Sequence, residues 1–81
     1  MFGLFQSKSE RLVKKLYKLN RALFSAARNA LRKNTEFWWN YVYQTGEQMR
    51  EVLEQLGEEK GDEYAESILI ALLNEQSLPA E

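Results

Sequence analysis

The 81-residue chain contains no cysteine and no histidine, and it has only one proline and four glycines. The lack of cysteine excludes disulfide bonds and thiolate nucleophiles. The lack of histidine excludes imidazole bases, such as that of a Ser-His-Asp triad, and the usual zinc and haem ligands. Because helix-breaking residues are scarce and no alternating strand pattern occurs, the sequence predicts one small all-α domain.

Charge is segregated along a chain that is nearly neutral overall, with a formal charge of −1. Residues 1–33 carry nine Lys or Arg against one Glu, and residues 34–81 carry two against eleven acids, so the halves are +8 and −9. A chain of this size buries only about 60–65% of its unfolded surface. We therefore expect self-association to add to its stability.

No apolar run is long enough to span a membrane. Residues 1–5 lack the basic region and the apolar stretch of a signal peptide. These absences favour a cytoplasmic location. Residues 1–6 form an apolar arm, for which we expect core packing, with weak membrane anchoring as the alternative.

The first predicted helix spans residues 8–33. Ser7 and Glu10 have the spacing of a capping box, which marks a helix start. An apolar face is predicted to comprise Leu12, Val13, Leu16, Leu19, Leu23, Phe24, Ala27, Ala30 and Leu31. A basic stripe on the opposite face comprises Lys14, Lys18, Arg21, Arg28 and Arg32, and it is about 27 Å long.

The second predicted helix spans residues 35–56, with the Gly-flanked segment 57–61 as a connector and Gly57 near the helix end. Its apolar face comprises Phe37, Trp38, Tyr41, Val42, Thr45, Met49, Val52, Leu53 and Leu56, opposite Glu47, Glu51, Glu54 and Glu58. Capping chemistry at Asn34 and Thr35 favours a break before this helix. The unbroken apolar phase allows one helix over 8–56 as the alternative, which would need a partner chain.

The third predicted helix spans residues 62–76, starting with Asp62 as its N-cap. Its apolar residues cover more than half of its circumference, so we expect it to lie centrally or in a subunit interface. The predicted architecture is an antiparallel helical hairpin plus a third helix, completed by self-association into a larger helical bundle.

Two aromatic side chains are out of phase with the predicted apolar face of the second helix. Trp39 and Tyr43 are one turn apart on its polar side. Exposed Trp and Tyr are enriched in interface hot spots. We expect either that a partner or subunit covers them, or that the arm or the third helix folds over them; a membrane-interface anchor is a further alternative.

Carboxylate pairs are the remaining candidates for catalysis. Glu51-x-x-Glu54 and Glu63-x-x-Glu66 resemble in layout the acidic motifs of the all-α nucleotide pyrophosphohydrolases, whose acids hold Mg²⁺. However, Glu51 and Glu54 are predicted to point away from the apolar face, and the last acid is Glu66 where that family usually has Asp. We therefore expect a solvated acidic face, with no metal and no cofactor.

These patterns favour a non-enzymatic protein-binding module, such as a small adaptor, chaperone or inhibitor. Its predicted binding residues are Trp39, Tyr43, Lys14, Lys18, Arg21, Arg28 and Arg32. The expected partner is another protein, which could be acidic and could be a second copy of the chain. The alternative is a peripheral binder of anionic membrane or nucleic acid through the first helix. A Mg²⁺-dependent hydrolase is a distant third hypothesis.

Overall fold

The computed structural model of the protein describes residues 7–76, which form three α-helices: α1 (Lys8–Lys33), α2 (Glu36–Lys60) and α3 (Asp62–Gln76). No strand occurs within these residues. The predicted all-α, three-helix arrangement is therefore confirmed. None of these helices is long and apolar enough to cross a membrane. The apolar arm predicted for 1–6 lies outside the described residues.

Interactions between near neighbours in the sequence define both ends of α1. The Ser7 hydroxyl accepts a hydrogen bond from the Glu10 backbone N–H at 3.2 Å, and the Glu10 carboxylate accepts one from the Ser7 N–H at 3.2 Å. At the other end Asn34 adopts a left-handed conformation with φ of 50°, which Asn tolerates better than most residues. The chain therefore breaks before Glu36 instead of continuing as one helix over 8–56.

The second helix ends later than the sequence predicts. The predicted connector 57–61 is wrong, because α2 continues through Gly57 to Lys60. The sharp change of direction falls instead on Gly61, whose φ is 98°. Asp62 also differs from its predicted N-cap role, since it is the first residue of α3 and the Gly61 carbonyl accepts from the Ala65 N–H at 3.1 Å.

Helices α1 and α2 form an antiparallel hairpin. Near one end Lys8 of α1 forms an ion pair with Glu59 of α2 at 3.4 Å. The buried core joins the first half of α1 to the second half of α2, and it comprises Leu12, Leu16, Met49, Val52, Leu56 and Leu72 of α3. Towards the turn the buried residues of α1 are the small side chains Ala26 and Ala30, which let the helices approach closely.

Helix α3 packs on one side of this hairpin and runs in the same direction as α1. Its last turns lie against the middle of α1, where Arg21 and Glu75 form an ion pair at 3.9 Å. Its first turn lies against the end of α2, next to Gly57. With 15 residues α3 is about 22 Å long, whereas the 26 and 25 residues of α1 and α2 make each about 38 Å long. Helix α3 therefore ends well short of the hairpin turn.

Four residues that the sequence places on the apolar faces of the hairpin are exposed: Phe24 (39%), Leu31 (73%), Phe37 (65%) and Tyr41 (45%). All four lie in the part of the hairpin nearer the turn, beyond the large-residue core. A central position for α3 is also wrong, because Leu69, Ile70 and Leu73 remain exposed. One face of α3 packs on the hairpin, and the rest faces outwards.

Candidate binding surfaces

The groove between α1 and α2 continues beyond the end of α3. On α1, Asn20 is in direct contact with α3 through a hydrogen bond to the Leu72 carbonyl. Phe24 and Leu31 follow Asn20 by four and eleven residues, which is about one and three helical turns. Both side chains therefore lie on the face that α3 covers at Asn20, but past the point where α3 ends.

On α2 as well, the face that α3 covers continues past the end of α3. Gly57 faces α3 closely, since a Cβ at this position would lie 2.9 Å from an Asp62 carboxylate oxygen and 3.9 Å from the Ala65 Cβ. Gly46 and Trp39 precede Gly57 by eleven and eighteen residues, about three and five turns, so they share its face. Apart from its chain neighbours and the nearby backbone of its own helix, no described atom lies within 4 Å of the Cβ position at Gly46. We call the surface formed by Phe24, Leu31, Trp39, Tyr43 and Gly46 the open groove.

Trp39 is held in place although its ring is exposed. Its indole N–H donates a hydrogen bond to the side-chain oxygen of Asn34 at 2.9 Å, and 42% of the residue remains accessible. Tyr43, one turn further along α2, is 68% exposed. Both rings are thus exposed, as the sequence predicts. Helix α3 does not cover them, and the arm proposed as another cover lies outside the described residues.

A second group of aromatic rings lies away from the open groove. Phe37 is two residues from Trp39, about 200° around the helix. Its ring contacts Trp38 edge-on, with centroids 5.2 Å apart, and Tyr41 at 6.4 Å. Phe37 and Tyr41 are exposed on this other side. They provide natural controls, because they are also exposed aromatic side chains of α2 but occupy a different surface.

The predicted basic stripe is exposed along α1, at Lys14, Lys18, Arg21, Arg28 and Arg32. Arg21 is paired with Glu75, whereas the other four form no ion pair with any residue of 7–76. An open depression beside the first half of the stripe is lined by Arg11, Val13, Lys14, Lys15, Tyr17, Lys18 and Arg21. The basic surface is therefore broader than the stripe, because Arg11 and Lys15 extend it.

The acidic face of α2 is partly neutralised by one arginine. Arg50 donates hydrogen bonds to Glu47 at 2.9 Å and to Glu54 at 2.8 Å. The hydrogen bond to Glu47 and the charges of Glu47 and Glu54 raise the pKa of Arg50 above its usual value. Glu51 and Glu58 are exposed and form no ion pair within the described part of the chain.

The carboxylates do not converge. Glu51, Glu54, Glu63 and Glu66 are all exposed. Among residues 7–76 there is no group of three or more acidic side chains placed to hold a metal ion. The acids whose layout resembles the pyrophosphohydrolase motifs therefore belong to no such group in the described helices.

No protein-family model, curated protein or solved structure matches this chain. The surfaces of the chain itself are therefore the basis for its proposed function. Of these, the open groove includes two residues that sequence reasoning placed in the core, Phe24 and Leu31. The predicted helix lengths could have shown that these two residues are exposed, because a third helix of 15 residues cannot cover a hairpin whose first helix has 26.

Proposed function

We propose that the protein is a non-enzymatic protein-binding module, and that its open groove receives an apolar-faced helix of another protein. The observation that carries this proposal is the position of Trp39. Its ring lies on the face of α2 that α3 covers further along, and a hydrogen bond holds it in place while it remains 42% exposed. A preorganised aromatic side chain loses little conformational entropy when a partner covers it.

Helix α3 provides a model for what the open groove would bind. Ala65, Ile68 and Leu72 of α3 pack against the hairpin, and Leu72 is only 1% exposed. A partner helix placed in line with α3 would contact Phe24 and Leu31 on one side and Trp39 on the other. Docking of an amphipathic helix into an apolar groove is a common mode of recognition, with aromatic residues as the main energetic anchors.

In addition, the basic stripe would attract and orient the partner protein. Arg28 and Arg32 are in α1 near the open groove, while Lys14, Lys18 and Arg21 extend the positive surface towards the other end of the helix. Exposed charges of this kind act mainly on association rate and orientation. An acidic partner would therefore bind faster, and more so at low salt. We propose a cytoplasmic location for the module, in line with the expectation from its sequence.

The test compares two double variants in affinity capture of native partners. Trp39→Ala with Tyr43→Ala removes two rings of the open groove, and Phe37→Ala with Tyr41→Ala removes two rings from the other side of α2. We expect the first variant to lose a partner that the wild type and the second variant both retain. Circular dichroism checks that both variants keep their helix content. Equal recovery by all three folded proteins contradicts the proposal.

A further inference from the structure

Two seams of opposite charge and similar spacing lie on different helices. The basic seam is the stripe on α1, and the acidic seam is the line of carboxylates on α2. The basic seam comprises Lys14, Lys18, Arg21, Arg28 and Arg32, and the acidic seam comprises Glu47, Glu51, Glu54 and Glu58. The intervals are 4, 3, 7 and 4 residues in the first and 4, 3 and 4 in the second. Intervals of 3, 4 and 7 residues are close to one or two helical turns, so each seam stays in one line along its helix.

The fold does not bring these seams together. The ion pairs that join α1 to the acidic helices within residues 7–76 are Lys8 with Glu59 and Arg21 with Glu75. On the acidic seam, Glu47 and Glu54 pair with Arg50 of their own helix. The core packing of α1 against α2 uses their apolar faces. Most of the positive seam and half of the negative seam therefore face solvent without an opposite charge.

We propose that the basic seam of one copy binds the acidic seam of a second copy of this chain. At 1.5 Å per residue the seams are about 27 Å and about 16 Å long, so the shorter seam fits within the longer one. Their matched intervals let several cations lie opposite carboxylates at once when the two helices are side by side. A second copy fits better than a polyanion such as nucleic acid, because the acidic half of this chain repels a polyanion.

This contact is head-to-tail, because the two surfaces that meet are different. After two copies have joined, one basic seam and one acidic seam remain free, so the assembly can grow beyond a dimer. Exposed ion pairs are individually weak and are screened by salt. The association is therefore concentration-dependent and reversible, and it is lost at high ionic strength. It uses none of the open-groove residues and shares only the basic stripe with the proposed function, so the Trp39 and Tyr43 variant tests the groove separately from this contact.

The experiment measures the mass of the protein in solution by light scattering at about 20 mM and about 500 mM salt, over a concentration series. For the wild type we expect the weight-average mass to rise above the 9.5 kDa of one chain at low salt and to return to that value at high salt. The variant Lys14→Glu with Lys18→Glu, and the variant Glu51→Lys with Glu58→Lys, should each remain at the single-chain mass.

Mixing the two variants gives the decisive result. Each variant keeps one unchanged seam, which is the acidic seam in the first variant and the basic seam in the second, and these two unchanged surfaces attract each other. We expect the mixture to rise towards about twice the mass of one chain at low salt. A control variant, Lys33→Glu with Lys60→Glu, makes the same charge change as the Lys14 and Lys18 variant on other sides of the two helices, and it should associate like the wild type.

Several outcomes would overturn the proposal. These are a wild type that stays at single-chain mass at low salt, an association that survives high salt, and a mixture that does not regain mass although both variants are helical by circular dichroism. Where a reversal variant does not fold, Lys14→Gln with Lys18→Gln replaces it, and wild-type association in that background contradicts the proposal. Oligonucleotide binding by the wild type without self-association would favour a polyanion ligand instead.

Discussion

The side-chain amide of Asn20, buried in α1, donates a hydrogen bond to the backbone carbonyl of Leu72 in α3 at 3.1 Å. The same nitrogen lies 3.3 Å from the Glu75 carboxylate. A buried amide between apolar neighbours is satisfied only when α3 lies in one register along α1. This contact fixes the register of α3 along α1, and so it also determines which part of the hairpin α3 covers.

Replacing Asn20 tests this contact. We expect Asn20→Ala to lower the free energy of unfolding by about 1–3 kcal/mol, because the Leu72 carbonyl and Glu75 lose a donor in a buried place. Asn20→Asp should cost more at neutral pH, since a buried carboxylate would face a carbonyl and another carboxylate. Its protonated form is neutral and can donate, so the extra cost should shrink as pH falls. Urea unfolding of both variants and the wild type at each pH measures these differences.

Core and open-groove leucines should respond very differently to truncation. Leu56 is 0% exposed and Leu31 is 73% exposed. Leu56→Ala removes buried methyl groups and leaves a cavity, so we expect a loss of about 2–5 kcal/mol in unfolding free energy. Leu31→Ala should change it by less than about 0.5 kcal/mol. Similar losses for both would contradict the exposed position of Leu31.

Replacing Gly46 within α2 and replacing Gly61 at its end should change the stability of the protein in opposite directions. Gly46 is helical, with open space at its Cβ position, so Gly46→Ala should stabilise the protein by about 0.5–1 kcal/mol through helix propensity. Gly61 has a φ of 98°, which side-chain-bearing residues rarely adopt, so Gly61→Ala should destabilise the protein by about 1 kcal/mol or more. Thermal unfolding measures both changes, and the same sign for both would contradict the predicted conformations.

The break between α1 and α2 depends on the left-handed backbone of Asn34. We expect Asn34→Ala to cost about 1–2 kcal/mol, because alanine is strained in this conformation. Asn34→Gly removes the same hydrogen bond to Trp39 but accepts the conformation, so it should be clearly more stable than Asn34→Ala. Urea unfolding distinguishes the two. An alanine variant as stable as the glycine variant would argue against a left-handed residue at this position.

The elements that the sequence predicts well are those set by near neighbours. The capping box of Ser7 and Glu10 involves residues three positions apart, so it can be identified without knowing the fold. Local capping chemistry at Asn34 likewise favours the break, although the apolar phase alone would also allow one helix over 8–56. The end of α2 could not be predicted in this way. Gly57 stays helical, and the first turn of α3 packs next to it. This packing is visible only once α3 is in place.

The sequence by itself determined the helical fold class, the amphipathic character and opposite charges of the segments that form α1 and α2, and the absence of the residues needed for thiol or imidazole chemistry. Each of these properties follows from residue type and from the helical period. The tertiary structure alone decided which apolar side chains are buried. Phe24 and Leu31 are in phase with the core, yet they are exposed because α3, anchored at Asn20, is too short to reach them. Burial of a side chain depends on which helix lies opposite it and on how far that helix extends. The apolar periodicity of a single helix contains no information about either.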